Sequence, residues 1–144
     1  MILIAGPYRS GTGDDPVLMD QNLTRLQAAA WPIFRSGHVP MIGEWVALPV
    51  LESAGATGVH DPLAEEVMYP TAERLLQHCD AVLRLPGAST GADQDVAIAR
   101  ERGLPVYFDV AEIPDYVASR PIRTGPQARD RDAVQVTSHT LTRQ

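Results

Sequence analysis

Cysteine is nearly absent from this chain: Cys79 stands alone among 144 residues. One thiol supports neither an intrachain disulfide nor a cysteine zinc site, and it suits a reducing cytosol. The four histidines, His38, His60, His78 and His139, do not stand at metal-ligand spacing and read as surface or local structural residues, so no metal is expected. Basic residues are also scarce. Twelve of them face 18 acidic ones, for a formal charge of −6, whereas nonspecific binding to a nucleic-acid polymer relies on many Lys and Arg side chains neutralising phosphates. A small anion can still be held locally. No apolar stretch approaches the ~18 residues of a membrane span. The N-terminus carries neither the basic region nor the cleavage pattern of a signal peptide. A cytoplasmic protein with no membrane partner is the expectation. Equally missing are a Gly-x-Ser-x-Gly elbow and the Ser, His, Asp order of a hydrolase triad, a Walker loop and a dinucleotide fingerprint.

What remains is ordinary for one globular domain with a sizeable core: 44% hydrophobic and 21% charged residues. Residues 2–5 (ILIA) form a short apolar run bounded by Gly6, as in a strand covered on both faces. Asp15-Pro16 starts a helix, and Leu23, Leu26, Ala30, Ile33 and Phe34 make its apolar stripe up to Gly37, with Pro32 kinking or dividing it. Residues 38–42 are a weaker strand leading into a loop at Gly43-Glu44-Trp45. Residues 53–61 (SAGATGVHD) have the composition of a flexible loop, and Asp61-Pro62 opens a helical stretch interrupted near Pro70.

The strongest local pattern follows Asp80. The strand AVLRLPG ends at Pro86-Gly87, residues 91–102 read as a helix closed by Gly103, and Val106-Tyr107-Phe108 is the next strand. That short crossover is the building block of a parallel sheet. The expected fold is therefore α/β, a doubly wound, mostly parallel sheet with flanking helices, Rossmann-like, over residues 1–117. Residues 118–144 are too polar to add much core and read as a C-terminal tail, which could instead order against a partner subunit. In such folds ligands sit beyond the carboxyl ends of the strands, so the loops at 6–13, 43–45 and 86–91 should converge on one crevice.

Three segments there carry chemistry. Gly6, Ser10, Gly11 and Gly13 free backbone amides to point at an anion, and Arg9 can add a charge-assisted fork; the bland alternative is that the glycines only make the turn. Ser89 or Thr90 caps the helix that holds Asp93 and Asp95, and those carboxylates are either helix-end charges or catalysts. Glu44-Trp45 could hold a flat heterocycle by its edge and face, or Trp45 could be core packing.

Ala5-Gly6-Pro7-Tyr8, Gly37-His38, Cys79-Asp80-Ala81-Val82, Leu85-Pro86-Gly87 and Ser89-x-Gly91-Ala92-x-x-Asp95, in that order, resemble the nucleoside 2-deoxyribosyltransferase superfamily over roughly residues 1–110. The likeness extends to its deoxynucleoside 5′-monophosphate N-glycosidases. It implies a small-molecule nucleotide or nucleoside ligand, no cofactor, and cleavage of the base–sugar bond through a carboxylate nucleophile. By that resemblance Gly6, Pro7, Arg9, Ser10 and Gly11 line the 5′-phosphate loop, with Gly87, Ser89 and Gly91 at the next loop. Glu44 and Trp45 line the base pocket, Tyr8 positions the sugar, and Asp95 stands where the family has its nucleophilic glutamate.

Two positions depart from the family. Asp95 is one methylene shorter, and Ala72 replaces an aspartate that orients the nucleophile and handles the base's proton; Asp93 is an alternative carboxylate, and Glu73 points about 100° away from position 72 on a helix. These changes motivate a second expectation, a non-catalytic nucleotide-binding or sensing domain of the same fold. The family's oligomers build the site from adjacent subunits, so a homo-oligomer, at least a dimer, is also expected.

Overall fold

The structure, a computed structural model, describes residues 1–116. Residue 117 and the tail expected at 118–144 lie outside the described residues. The chain runs β1 (Ile2–Ala5), α1 (Pro16–Ala28), α2 (Ala30–Arg35), β2 (Pro40–Ile42), α3 (Gly43–Ser53), α4 (Leu63–Leu76), β3 (Ala81–Arg84), α5 (Thr90–Glu101) and β4 (Val106–Tyr107), followed by a 3-10 turn at Val110–Glu112. The strands lie in the order β2-β1-β3-β4, and every pairing is parallel. This is an α/β Rossmann-like sheet.

Alternation along β1 divides the core. Ile2 and Ile4 join Leu26, Ile33, Ile42 and Leu83 on the face covered by α1 and α2. Leu3 and Ala5 join Leu76, Val82, Val96 and Ala99 on the opposite face, covered by α4 and α5. Because successive strand side chains point to opposite faces, an all-apolar strand needs both layers of helices. The chain leaves β1 toward β2 on one side and later returns to place β3 on the other. The strand order therefore reverses at the β1/β3 boundary, where a crevice opens beyond the carboxyl ends.

Helix ends follow local chemistry where the sequence carries a cap. Asp15 accepts from the Val17 amide at 2.9 Å ahead of Pro16, and Ser89 accepts from the Ala92 amide at 3.2 Å. The helical run after Asp15 is divided at Ala29, just before the segment holding Pro32. The break turns Phe34 outward to stack on Trp31, with centroids 6.1 Å apart, instead of continuing the buried stripe.

Two further expectations are corrected. Gly43-Glu44-Trp45 is no loop: β2 passes directly into α3 at Gly43. Pro70 does not interrupt α4, nor does Pro49 break α3. An interior proline removes one hydrogen bond and crowds the preceding turn. Here α3 and α4 pack on each other, with Ala47, Leu51 and Ala64 buried and Leu76 held in the core on the sheet face, and that apolar burial offsets the loss.

Candidate functional site

A cavity of about 180 Å³ lies at the β1/β3 boundary. The ends of three strands supply its polar groups: Tyr8, Arg9 and Ser10 after β1, Glu44 at the start of α3 after β2, and Ser89 and Asp95 after β3. The segments 6–13, 43–45 and 86–91 thus come together, with α4 closing the side through residues including Glu65, Tyr69 and Ala72. At this volume the cavity falls below the ~300 Å³ at which drug-sized pockets begin, and it fits a compact ligand.

Asp95 is placed by helical phase. Ala92, Val96 and Ala99 form the buried stripe of α5. At 100° per residue Asp95 and Asp93 lie on opposite flanks of that stripe, about 40° and 60° beyond its edges, and the flank of Asp95 is the one that lines the cavity. The carboxyl of Asp95 is consequently half-buried in the cavity wall, and its pKa is pushed from 3.8 up to about 7. Loss of solvent is the first cause and the neighbouring Glu44 the second; Arg84 acts the other way. Burial likewise raises Glu44, partly opposed by a bond to its own backbone amide. Among the described residues neither carboxyl has a side-chain hydrogen-bond partner, so both are open to a ligand. Tyr8 is raised too, by burial and then by Glu44 and Asp20. Its carbonyl accepts from Asn22 Nδ2 at 2.8 Å, which ties the loop to α1.

Neither a family model nor a curated protein matches the sequence. The site therefore has to be read from its own groups.

Asp93 lies outside the cavity, where its Oδ1 accepts from Arg84 Nη2 at 2.9 Å and Nε at 3.3 Å. Trp45 also lies outside it, 39% exposed, and is neither a cavity wall nor buried core. Pro7, Gly11 and Gly87 are not in the wall either. Gly87 has a packing role: at φ 115°, a Cβ there would stand 2.6 Å from Pro7 Cγ, so the first and third loops touch at this point. Gly6, which does line the cavity, is also required by packing, since its Cβ would meet Leu26 Cδ2 at 2.8 Å and Leu85 Cβ at 3.2 Å. Ser89 is buried as the cap of α5 and lines the cavity. Arg9 reaches the wall already engaged, its Nε 2.5 Å from Asp14 Oδ1 and its Nη2 2.9 Å from Oδ2.

Several residues at and beside the cavity were not legible from sequence. Arg84 sits at 11% side-chain exposure and holds the β3–α5 loop by donating to the carbonyls of Leu85 and of Gly87, the latter at 2.9 Å. A lone arginine ending an apolar strand was the available signal. Glu65 and Tyr69 belong to the exposed flank of α4, where sequence gives them no distinguishing mark. Ala72 does face the cavity, while Glu73 is exposed and does not. Among the described residues no group of His, Cys, Asp and Glu is arranged to hold a metal, and no helix is long and apolar enough to cross a membrane.

Proposed function

We propose that the cavity binds a nucleoside or nucleotide and that the protein is an N-glycosidase or deoxyribosyltransferase acting on the base–sugar bond. The observation that carries this reading is the carboxyl pair: Asp95 and Glu44 share a desolvated cavity at the strand-order reversal, and both are shifted toward the protonated form. The order of motifs resembling the nucleoside 2-deoxyribosyltransferase superfamily supports it.

In the first step the Asp95 carboxylate attacks C1′ and forms an ester. The C1′–N bond breaks with its electron pair going to the base, and Glu44 donates a proton to the departing base. In the second step water, or the hydroxyl or base of an acceptor, attacks C1′. Its proton passes to Glu44, and the ester bond returns its electrons to Asp95. Tyr8 supports the sugar, and the chemistry needs no cofactor. Glu44 thereby takes the role that Ala72 leaves vacant. Because the first step needs Asp95 ionised and Glu44 protonated together, kcat/KM is bell-shaped in pH and falls above about 7, where both carboxyls are ionised.

The test is incubation with a panel of nucleosides and 5′-monophosphates while free base is followed by chromatography. Release that is lost in Asp95→Asn supports the reading, and no release from any compound at high protein concentration contradicts it. Ala72 favours a second reading, a non-catalytic nucleotide-binding or sensing domain. Calorimetric binding without base release selects that one.

We further propose a cytoplasmic protein that assembles at least as a dimer. The single, buried Cys79 supports the first. The exposed Trp45, Val46 and Val50 on α3, the helix that presents Glu44, support the second. A monomer by light scattering at micromolar concentration contradicts the assembly.

A further inference from the structure

The sequence places Arg9 in the loop that a 5′-phosphate would occupy, yet the structure gives its guanidinium an internal partner. Both donors on one edge of the fork go to the two oxygens of Asp14. The arrangement is built into the loop. The buried Thr12 hydroxyl donates to the Arg9 carbonyl at 2.5 Å and accepts from the Asp14 amide at 3.3 Å, so one side chain fixes both partners. Asp14 itself adopts φ 62°, the left-handed region that non-glycine residues seldom enter. The pairing raises Arg9 and lowers Asp14, leaving both fully charged.

The rest of the wall offers an anion little. Among the described residues Arg9 is the one basic side chain lining the cavity, against Glu44, Glu65 and Asp95. A phosphate monoester brings about 1.5 to 2 negative charges. With its Nε/Nη2 edge taken by Asp14, Arg9 would meet the phosphate only through its remaining N–H groups, beside a fixed carboxylate that balances its charge. Gly6, moreover, is accounted for by the close approach of Leu26 and Leu85 and not by an anion.

We propose that Asp14 is a specificity-determining residue: by taking one edge of the Arg9 fork and balancing its charge it makes the loop a receptor for an uncharged 5′-hydroxyl and turns away a 5′-phosphate, so the substrate class is the free nucleoside. This rests on the nucleoside-type reading of the cavity given above. It adds a residue and a direction that the resemblance does not supply.

Calorimetry with the four common deoxynucleosides and their 5′-monophosphates tests it on the full chain, comparing the native protein with Asp14→Asn and Asp14→Gly. Asn and Gly both tolerate the left-handed conformation, and neither carries charge. The native protein is expected to bind at least one nucleoside and to bind its monophosphate no more tightly. Each substitution should raise the monophosphate-to-nucleoside affinity ratio by up to about fivefold, the upper range for freeing one exposed ion pair. Adding Arg9→Ala to Asp14→Asn should erase that gain. Native protein that prefers the monophosphate about tenfold, or variants that bind the nucleoside with an unchanged ratio, overturn the role of Asp14 and leave the nucleoside reading standing. No binding of any nucleoside or monophosphate by any of the proteins overturns both. Thermal melts confirm that each variant is folded.

Discussion

Replacing Asp95 by Asn should make the protein more stable, and by an amount that depends on pH. The native carboxyl titrates near 7 in the folded protein against 3.8 when solvated. Below pH 4 it is protonated in both states and costs nothing. Between those values the folded protein keeps a proton that the unfolded chain releases, so stability falls as pH rises. Above pH 7 the deficit is complete, on the order of 4 kcal/mol for a shift of about three units. Asn has nearly the same shape and no charge, so it removes this deficit. Glu44 remains in both proteins, and its contribution cancels in the comparison. The advantage of Asp95→Asn should therefore grow by roughly 2–3 kcal/mol between pH 5 and pH 8, which at a few degrees per kcal/mol is a widening of roughly 6–10 °C in Tm. Scanning calorimetry of both proteins at the two pH values measures it. A Tm difference that stays constant with pH, or a variant less stable at pH 8 than the native protein, would refute the assignment of Asp95 as a desolvated carboxyl under strain from Glu44.

Three smaller perturbations probe the frame around it. Gly87→Ala forces a side chain into φ 115° with Pro7 Cγ 2.6 Å away, and should cost about 2–4 kcal/mol in urea unfolding; a loss under ~1 kcal/mol contradicts the contact between the first and third loops. Ser89→Ala deletes the bond to the Ala92 amide and should cost about 1 kcal/mol, visible in the same assay. Arg84→Gln removes the cation that holds Asp95 down, so the Asp95 carboxyl followed by NMR should titrate at higher pH than in the native protein, and an unchanged midpoint contradicts that coupling.

The sheet was readable because its strands are short apolar runs ended by glycine or proline, and because the stretch from Asp80 to Phe108 compresses strand, helix and strand into one unit. The caps Asp15 and Ser89 were readable as single residues. Helix α3 was not. It is apolar on nearly every side, carries Pro49 and follows a strand without a linker, so neither periodicity nor a cap marks its start. Asp95 and Asp93 share a heptad-scale neighbourhood in sequence, and only the buried stripe Ala92, Val96 and Ala99 separates the carboxyl that enters the cavity from the one that pairs with Arg84. The Arg9–Asp14 pair was hidden for another reason. Arginine and aspartate five residues apart in a loop have no fixed geometry until Thr12 and the turn set it. The meeting of Glu44 with Asp95 depends on β2 and β3 flanking β1, a long-range arrangement that local patterns do not encode.

Covalent trapping reads the bond between Asp95 and the sugar itself. The protein is incubated with nucleosides whose sugars carry a 2-fluoro substituent, which slows breakdown of a glycosyl ester, and is then digested and mapped by mass spectrometry. The peptide containing Asp95 is expected to gain the mass of the fluorosugar with loss of the base, and Asp95→Asn to gain none. An adduct at another residue, or no adduct and no free base from any nucleoside offered, would contradict it.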